Sequence, residues 1–345
     1  MSVDIQYIAE QVMALCRIPS PTGFTHEAIA YVEQELKRLG VATRRTPKGA
    51  LLATLPGRDT VRHRALAAHV DTLGAMVRAI KPNGRLKLHR IGSYSWQTIE
   101  GEYVTIHTQS GRTITGTVLV TKASYHVHGP EHDKQERNEE NMEVRLDERV
   151  QSRADVEALG IQVGDFVSLD PRTVLTPAGF IKSRHLDDKA CAAILLGLAR
   201  QIQTEQIPLA ATTHLFFSNY EEVGHGAAGA LPPETAELIA VDMAAVGEGQ
   251  TSDEYSVTIC VKDSSGPYDH ELSSRLRRIA AEKGIPCKVD IYPYYGSDAS
   301  AALRAGGQFR TALVGPGIDA SHSFERCHLD GLKATASLLL EYLKQ

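Results

Sequence analysis

The sequence has no run of about 18 apolar residues, the length that a helix needs to cross a membrane. Its first residues, Met1-Ser2-Val3-Asp4-Ile5-Gln6, lack the cationic start and apolar core of a signal peptide. Blocks rich in lysine or arginine are also missing, and the net charge is only −5. We therefore expect neither a membrane nor a nucleic acid as a partner.

Cysteine is scarce. The chain has five cysteines, an odd number, and none of them forms a Cys-x-x-Cys pair. A disulfide framework is therefore not indicated, and the sequence favours a reducing compartment and a cytoplasmic location. What the chain does have is length: 345 residues, 42% of them hydrophobic, suffice for one large domain and a smaller one.

Hydrophobic patterning predicts two architectures along the chain. Residues 1–78 and 180–345 alternate apolar strands with amphipathic helices, which predicts a mostly parallel sheet covered by helices. Residues 79–179 contain short strands separated by glycines, including a hairpin turn at Asn83-Gly84, as in a small all-β barrel. A polar stretch, residues 124–141, is predicted to be a mobile loop. The expected fold class is α/β with an inserted β-barrel domain.

Acidic and histidine residues stand at or just beyond the predicted strand ends, where open α/β sheets place their active sites. These residues are His69, Asp71, Asp187, Asp188, Glu221, Glu222, Asp242 and His322. Taken singly, each has an ordinary explanation, such as a helix cap or a solvated loop. Taken together, the two histidines and three of these carboxylates could hold two divalent ions bridged by an aspartate, with a further carboxylate left beside them. Mixed nitrogen and oxygen ligands favour Zn, Co or Mn over Mg or Ca.

Local spacing adds chemical detail to this set. His69 and Asp71 lie two residues apart at a strand end, so they face the same side, and a ligating imidazole needs a partner on its other nitrogen. The adjacent Glu221 and Glu222 allow one carboxylate to bind metal while its neighbour takes a proton from water. The segment Gly315-Pro316-Gly317 predicts a turn ahead of His322.

In order and spacing, these motifs resemble those of the tetrahedral (TET-type) aminopeptidases of metallopeptidase family forty-two. That family includes glutamyl and deblocking aminopeptidases and some proteins once named endoglucanases. The resemblance rests on His69-x-Asp71, Asp187-Asp188-Lys189, Glu221-Glu222-Val223-Gly224, Asp242 and His322-Ser323. It covers essentially the whole chain, including the β insertion. It implies a metallo-aminopeptidase that removes N-terminal residues from peptide substrates.

The resemblance also implies a role for each residue. Two divalent metal ions per subunit, zinc first and cobalt or manganese as alternatives, would be held by the bridging Asp187, by His69 and Asp242 on one side, and by Glu222 and His322 on the other. Glu221 would act as the general base on a metal-bridging water, Asp71 would orient His69, and Asp298 would line the substrate pocket. Because family members assemble through the β insertion, a homo-oligomer is expected, from a dimer up to a tetrahedral dodecamer.

Other functions stay open on the sequence alone. An amide deacylase could use the same dinuclear site. A glycoside hydrolase with Glu221 and Glu222 as its carboxylate pair is disfavoured, because adjacent residues are poorly placed to flank a glycosidic bond at about 5–9.5 Å. The single tryptophan, Trp96, also offers little surface for stacking on sugars. A binding or assembly protein on a decayed scaffold is disfavoured by the complete ligand set.

Overall fold

A computed structural model describes residues 3–345 of the chain. Met1 and Ser2 lie outside the described residues. They are the first residues of the segment that lacks a signal-peptide pattern. The described chain forms two compact units: the smaller spans Thr72–Pro171, and the larger comprises the residues on either side of it. Within residues 3–345, none of the helices combines the length and the apolar character that crossing a membrane requires.

The larger unit opens with the two predicted amphipathic helices. Its first elements are α1 (Ile5–Cys16), α2 (His26–Arg38), β1 (Ala42–Arg45), β2 (Leu51–Leu55) and β3 (Gly57–His69). The side chain of Asp4 caps α1 by accepting a hydrogen bond from the Tyr7 N–H group at 3.1 Å. In α2, Ile29, Val32 and Leu36 are buried and form the apolar face of an amphipathic helix.

The smaller unit is a closed β-barrel. Its elements are β4 (Gly74–Ile80), β5 (Leu86–Ile91), β6 (Tyr103–His107), β7 (Thr113–Val120), α3 (Tyr125–His128), α4 (Pro130–Lys134), β8 (Met142–Leu146), α5 (Arg153–Ala158) and β9 (Phe166–Leu169). The strands pair in antiparallel fashion in the order β4-β5-β8-β7-β6-β9. The barrel has its own apolar core, which includes Val104, Ile106 and Val144. The inserted barrel expected from the sequence is thus confirmed.

Details of the smaller unit differ from the expectation. It starts at Thr72 and ends at Pro171, whereas the sequence suggested 79 and 179. The earlier start arises because β4 begins at Gly74 and pairs with β9 from Ala75 onward. Within residues 124–141, where a loop was expected, the structure contains α3 and α4. Pro130 occupies the start of α4, a position that its fixed backbone angle favours.

After the barrel, the chain returns to the larger unit. The remaining elements are β10 (Val174–Leu175), β11 (Phe180–Ser183), α6 (Leu186–Thr204), β12 (Leu209–Ser218), β13 (Thr235–Val241), β14 (Ala244–Val246), β15 (Val257–Asp263), β16 (Gly266–Pro267), α7 (His270–Lys283), β17 (Cys287–Ile291), α8 (Asp298–Arg304), β18 (Arg310–Asp319), β19 (Glu325–His328) and α9 (Leu329–Lys344). At the centre of the sheet β12, β3, β13 and β18 run parallel, and antiparallel strands flank them. The α/β class is therefore confirmed.

The parallel strands bring their carboxyl ends to one edge of the sheet. His69 at the end of β3 stands opposite Ser218 at the end of β12, and Val241 at the end of β13 stands opposite Val314 in β18. The long helix α6 packs against this sheet and is buried along nearly its whole length. Side chains that follow the strand ends therefore converge at this edge, as expected for an open α/β sheet.

The turn predicted at residues 315–317 is wrong, because β18 continues through this segment to Asp319. Both glycines serve close backbone contacts instead. A Cβ atom on Gly315 would lie 1.7 Å from the main-chain oxygen of Asp242, and one on Gly317 would lie 2.0 Å from that of Asp253. Glycine at these positions lets β18 pass directly beside the main chain at Asp242 and at Asp253.

Candidate metal centre

The ligand candidates sit just beyond the strand ends. His69 ends β3, Asp242 follows β13, and Glu222 lies in a single 3-10 turn after β12. His322 belongs to the connection between β18 and β19. Asp187 lies at the start of α6, where its backbone angles are not yet helical.

Two groups of potential ligands share Asp187. His69, Asp187 and Asp242 each offer an atom within 4.8 Å of the others, and so do Asp187, Glu222 and His322. Asp187 Oδ1 lies 3.2 Å from His69 Nε2, whereas Asp187 Oδ2 lies 3.3 Å from His322 Nε2. The two oxygens of one carboxylate thus face two different histidines, an arrangement that would suit a carboxylate shared by two cations.

The donor set fits divalent cations. Glu222 Oε1 is buried and accepts no hydrogen bond from the described residues, while Glu222 Oε2 lies 3.6 Å from His322 Nε2. A buried oxygen without a partner costs about 1–3 kcal/mol, and more if it is charged. A cation held by Asp187, Glu222 and His322 would remove that cost. Imidazole nitrogens combined with carboxylate oxygens are the ligands that zinc and its neighbours take.

The pKa values of the carboxyl groups in the cluster also favour bound cations. Burial and the nearby Asp187 charge raise the pKa of Asp242 to about 7 and that of Glu222 to about 8. Burial opposes ionisation of Asp187 too, but its hydrogen bonds with His322 and His69 hold its pKa below the usual range. Carboxyl groups this close cannot all ionise near neutral pH unless positive charge lies between them.

Asp71 fixes two parts of the centre at once. His69 Nδ1 lies 2.9 Å from the main-chain oxygen of Asp71 and 3.5 Å from its carboxylate Oδ1. The same carboxylate accepts hydrogen bonds from the N–H groups of Glu221 and Glu222, at 3.1 and 3.2 Å, and from Thr22 Oγ1 at 2.7 Å. Asp71 therefore holds the His69 ring and the Glu221–Glu222 turn in one arrangement. Thr22 could not be identified from the sequence, because it is far along the chain from the other motifs.

Glu221 stands beside the ligand groups without belonging to either of them. Its Oε2 lies 3.8 Å from His69 Nε2. Burial raises the pKa of Glu221 well above its usual range, and the charges of Asp242 and Asp298 add to this effect against the opposing charge of His69. A carboxyl group that binds its proton more firmly than usual suits a residue that takes a proton and returns it.

Glu325, in β19, is the main residue of the centre that the sequence did not reveal. Its two oxygens accept hydrogen bonds from the N–H groups of Asp187 and His322, each at 3.1 Å. The His322 backbone has a left-handed φ of 61°, which is unfavourable for a residue other than glycine, so this bond stabilises it. Burial and the Asp187 charge raise the pKa of Glu325 to about 8. In the sequence, the position of Glu325 three residues after His322 is the feature that could have indicated its role in the centre.

Asp188 and Lys189 hold the chain around the ligands. Asp188 Oδ2 accepts a hydrogen bond from the His69 N–H group at 3.3 Å. Lys189 is fully buried, and its Nζ donates to the main-chain oxygen of Ile18 at 2.6 Å. Neither residue belongs to the two ligand groups formed by the described residues.

Asp298 begins α8 and lies close to the centre but outside both ligand groups. It is buried, and its two oxygens accept hydrogen bonds from Ser218 Oγ at 2.6 Å and from the Ala227 N–H group at 2.8 Å. Its carboxyl group thus links the end of β12 to the segment that follows Glu222. A contact with substrate stays a prediction for this residue.

We expect Gly315→Ala to damage the centre, because the new Cβ atom would overlap the main-chain oxygen of Asp242. The strands β13 and β18 must separate to admit it, which moves Asp242. Overpacking of this kind costs about 1–3 kcal/mol of unfolding free energy or more, measurable by urea denaturation. Bound metal, measured by elemental analysis, should fall as well. Gly247→Ala is the control, since no atom lies within 4 Å of its Cβ position. Unchanged stability and metal content in Gly315→Ala would contradict this reading of the strand contact.

Known proteins are similar to this chain in sequence and in fold. The family model described as M42 glutamyl aminopeptidase matches residues 49–338. A Bacillus subtilis (strain 168) protein named "Putative aminopeptidase YhfE" is 57% identical over 341 residues, which cover 99% of this chain and 98% of that protein.

Two solved structures are similar to the fold. A TET aminopeptidase from the marine sediment archaeon Thaumarchaeota archaeon SCGC AB-539-E09 has a TM-score of 0.88 at 18% identity, over 99% of this chain and 96% of that one. The Pyrococcus horikoshii TET1 peptidase, described as able to assemble into a tetrahedron or a large octahedral shell, has a TM-score of 0.85 at 21% identity. That match covers 97% of this chain and 99% of the other.

Proposed function

From the premise that this chain belongs to the M42 glutamyl aminopeptidase family and is a metallo-aminopeptidase, we propose that it works with two divalent ions per subunit. The observation that carries the proposal is the position of Asp187, whose two oxygens face His69 and His322 respectively. Asp187 would bridge the ions, with His69 and Asp242 completing one site and Glu222 and His322 the other. Zinc is the first choice of metal, and cobalt and manganese are the alternatives.

Glu221 is the general base in this proposal. When bound, the ions supply an activated water and polarise the scissile carbonyl group. Glu221 takes the proton of the attacking water and later donates it to the amine that leaves. Its position beside His69 but outside the ligand groups supports this role, as does its raised pKa. Asp71 keeps Glu221 in place through the hydrogen bond to its N–H group and orients His69 for metal binding.

We also propose that the protein is a homo-oligomer that assembles through its barrel, from a dimer up to a dodecamer. The description of the Pyrococcus horikoshii structure as a tetrahedron or octahedral shell supports this idea. The barrel also exposes large apolar side chains, including Tyr103, Val127 and Val163, whose burial would favour association. A cytoplasmic location belongs to the same proposal and rests on the free state of all five cysteines.

The experiment that tests the proposed function is a panel of aminoacyl p-nitroanilides, assayed with Zn, Co, Mn or a chelator. We expect release of the anilide from substrates with a free α-amino group, and loss of that release when the chelator removes the metal. N-acetylated versions of the same substrates are the matched controls. Cleavage of the acetyl group, without release of N-terminal residues, would replace the aminopeptidase with an amide deacylase on the same centre. Release that is insensitive to the chelator would contradict the dinuclear mechanism.

A further inference from the structure

A cavity of about 380 Å³ opens onto the metal centre. Asp187 and His322, from the two ligand groups, form part of its wall, and so does Met243, which follows Asp242. Its volume lies at the lower end of the range for small-molecule sites, about 300–1,000 Å³. A group bound in the cavity would therefore lie directly beside the ligands that act on the substrate.

The walls of the cavity expose more apolar than polar surface, and tyrosines form much of them. The rings of Tyr292 and Tyr295 lie 5.3 Å apart, centroid to centroid. Their hydroxyl groups are engaged by the protein: Tyr292 Oη lies 2.7 Å from Ser252 Oγ, and Tyr295 Oη donates to the main-chain oxygen of Met243 at 2.8 Å. What these tyrosines offer a ligand is ring surface, which Met243 and Ala245 extend.

Within residues 3–345, no lysine or arginine side chain lines the cavity to receive an acidic side chain. Among the described residues that line it, none is lysine or arginine, and the one carboxylate is Asp187, already assigned as the metal bridge. A glutamate side chain would find no lysine or arginine partner among these residues, so its desolvation in this space would be costly.

A basic side chain of the substrate would also lack a partner in the cavity. Asp290, the acid beside the lining residue Gln250, is already satisfied by the protein. Its Oδ2 accepts hydrogen bonds from the Thr251 N–H group at 2.8 Å and from Ser252 Oγ at 2.8 Å, and its Oδ1 accepts from the Ile291 N–H group at 2.9 Å. The Gln250 amide nitrogen, in the orientation that avoids facing like groups, lies 2.9 Å from the same Oδ1. Asp290 therefore fixes the wall and has no free oxygen to bind a lysine.

We propose that this cavity holds the side chain of the substrate's N-terminal residue and selects large, uncharged, apolar side chains such as those of leucine, methionine and phenylalanine. The inference rests on the proposed aminopeptidase function and specifies its substrate class. The proposed preference for apolar residues differs from the glutamyl preference that the name of the family indicates.

The first test compares the p-nitroanilides of leucine, methionine, phenylalanine, glutamate and lysine on the metal-loaded protein. We expect kcat/KM for the apolar residues to exceed that for glutamate and lysine by at least about 100-fold, because a charge would be buried without a partner. Faster release of glutamate or lysine would overturn the assignment of the cavity and leave the aminopeptidase function intact. No release from any substrate with any metal would overturn both.

A binding measurement tests the cavity without turnover. The metal-loaded Glu221→Gln variant should bind the dipeptide Leu-Ala at least about tenfold more tightly than Glu-Ala or Lys-Ala in isothermal titration calorimetry. Because the three peptides differ only in the N-terminal side chain, the ratio of Kd values reports on the cavity. Equal Kd values would overturn the proposal.

A change of charge in the wall tests the position of the cavity. Ala245→Lys should raise the ratio of glutamyl to leucyl turnover at least about tenfold, because the new ammonium group can pair with the glutamate side chain. Ala245→Gln, of similar length but uncharged, should leave that ratio nearly unchanged. An equal change of the ratio in both variants, or in neither, would overturn the placement of the N-terminal side chain. If Ala245→Lys does not fold, the dipeptide comparison still decides the proposal.

Discussion

Glu221→Gln should lower kcat by about 10²–10⁴-fold while both metal ions stay bound. Glutamine has nearly the same size as glutamate but cannot accept a proton from water. Since Glu221 belongs to neither ligand group, its replacement should leave the metal sites complete. The hydrogen bond between its N–H group and Asp71 is a main-chain contact, so the turn that carries Glu222 should also be retained.

The measurement pairs steady-state kinetics on a leucyl anilide with elemental analysis of bound metal. Glu282→Gln, on the exposed surface of α7, makes the same chemical change away from the centre and should match the unaltered protein in both respects. Turnover close to normal in Glu221→Gln would remove this residue as the general base. Loss of metal together with turnover would instead indicate that Glu221 is a metal ligand, although it belongs to neither ligand group.

The long elements of the fold could be predicted from the sequence because their burial patterns are strong. Strand β12 is buried along nearly its whole length, and strand β6 alternates buried with more exposed residues, so both carry a clear hydrophobic pattern. In contrast, β1, with the sequence Ala-Thr-Arg-Arg, is mostly exposed and carries no hydrophobic signal. It is a strand only because it pairs with β2 at the edge of the sheet. Short edge strands of this kind are specified by their partners, which local sequence does not show.

The residues of the two ligand groups could be found in the sequence for a chemical reason. A single histidine or carboxylate at a strand end has ordinary structural explanations, but several of them at successive strand ends indicate a shared site before the fold is known. Thr22 and Glu325 were not identified from the sequence because they act through hydrogen bonds to other residues of the centre. Thr22 donates to Asp71, and Glu325 accepts from two main-chain N–H groups. Such roles depend on which segments meet in space. The glycine at 315 was misread for the same reason, since its purpose is the contact with Asp242.

The centre is held from both sides by carboxyl groups that bind no metal in our proposal. Asp71 accepts hydrogen bonds from the turn that carries Glu221 and Glu222, and Glu325 accepts from the N–H groups of Asp187 and His322. The backbone around the ligands is therefore set by the protein itself. Metal binding then depends chiefly on the ligand side chains, and most of all on the one that both ions share.

Asp187→Asn should remove both metal ions, and with them all measurable turnover. An asparagine side chain has one oxygen and one NH₂ group, so one of the two histidines that now face an Asp187 oxygen would face a donor instead. The loss of a negative charge between two divalent cations would weaken the remaining site as well. The Asp187 N–H bond to Glu325 is unaffected, so we expect the protein to fold.

Elemental analysis after dialysis against micromolar zinc measures this outcome directly. We expect the metal content of Asp187→Asn to fall from two ions per subunit towards zero, whereas Asp133→Asn, a surface change in α4 of the barrel, should keep both ions. Circular dichroism should show the same helix content in the two variants. Full occupancy of both sites in Asp187→Asn would exclude a bridging carboxylate at this position. Loss of one ion alone would mean that the two sites bind independently and that Asp187 serves only one of them.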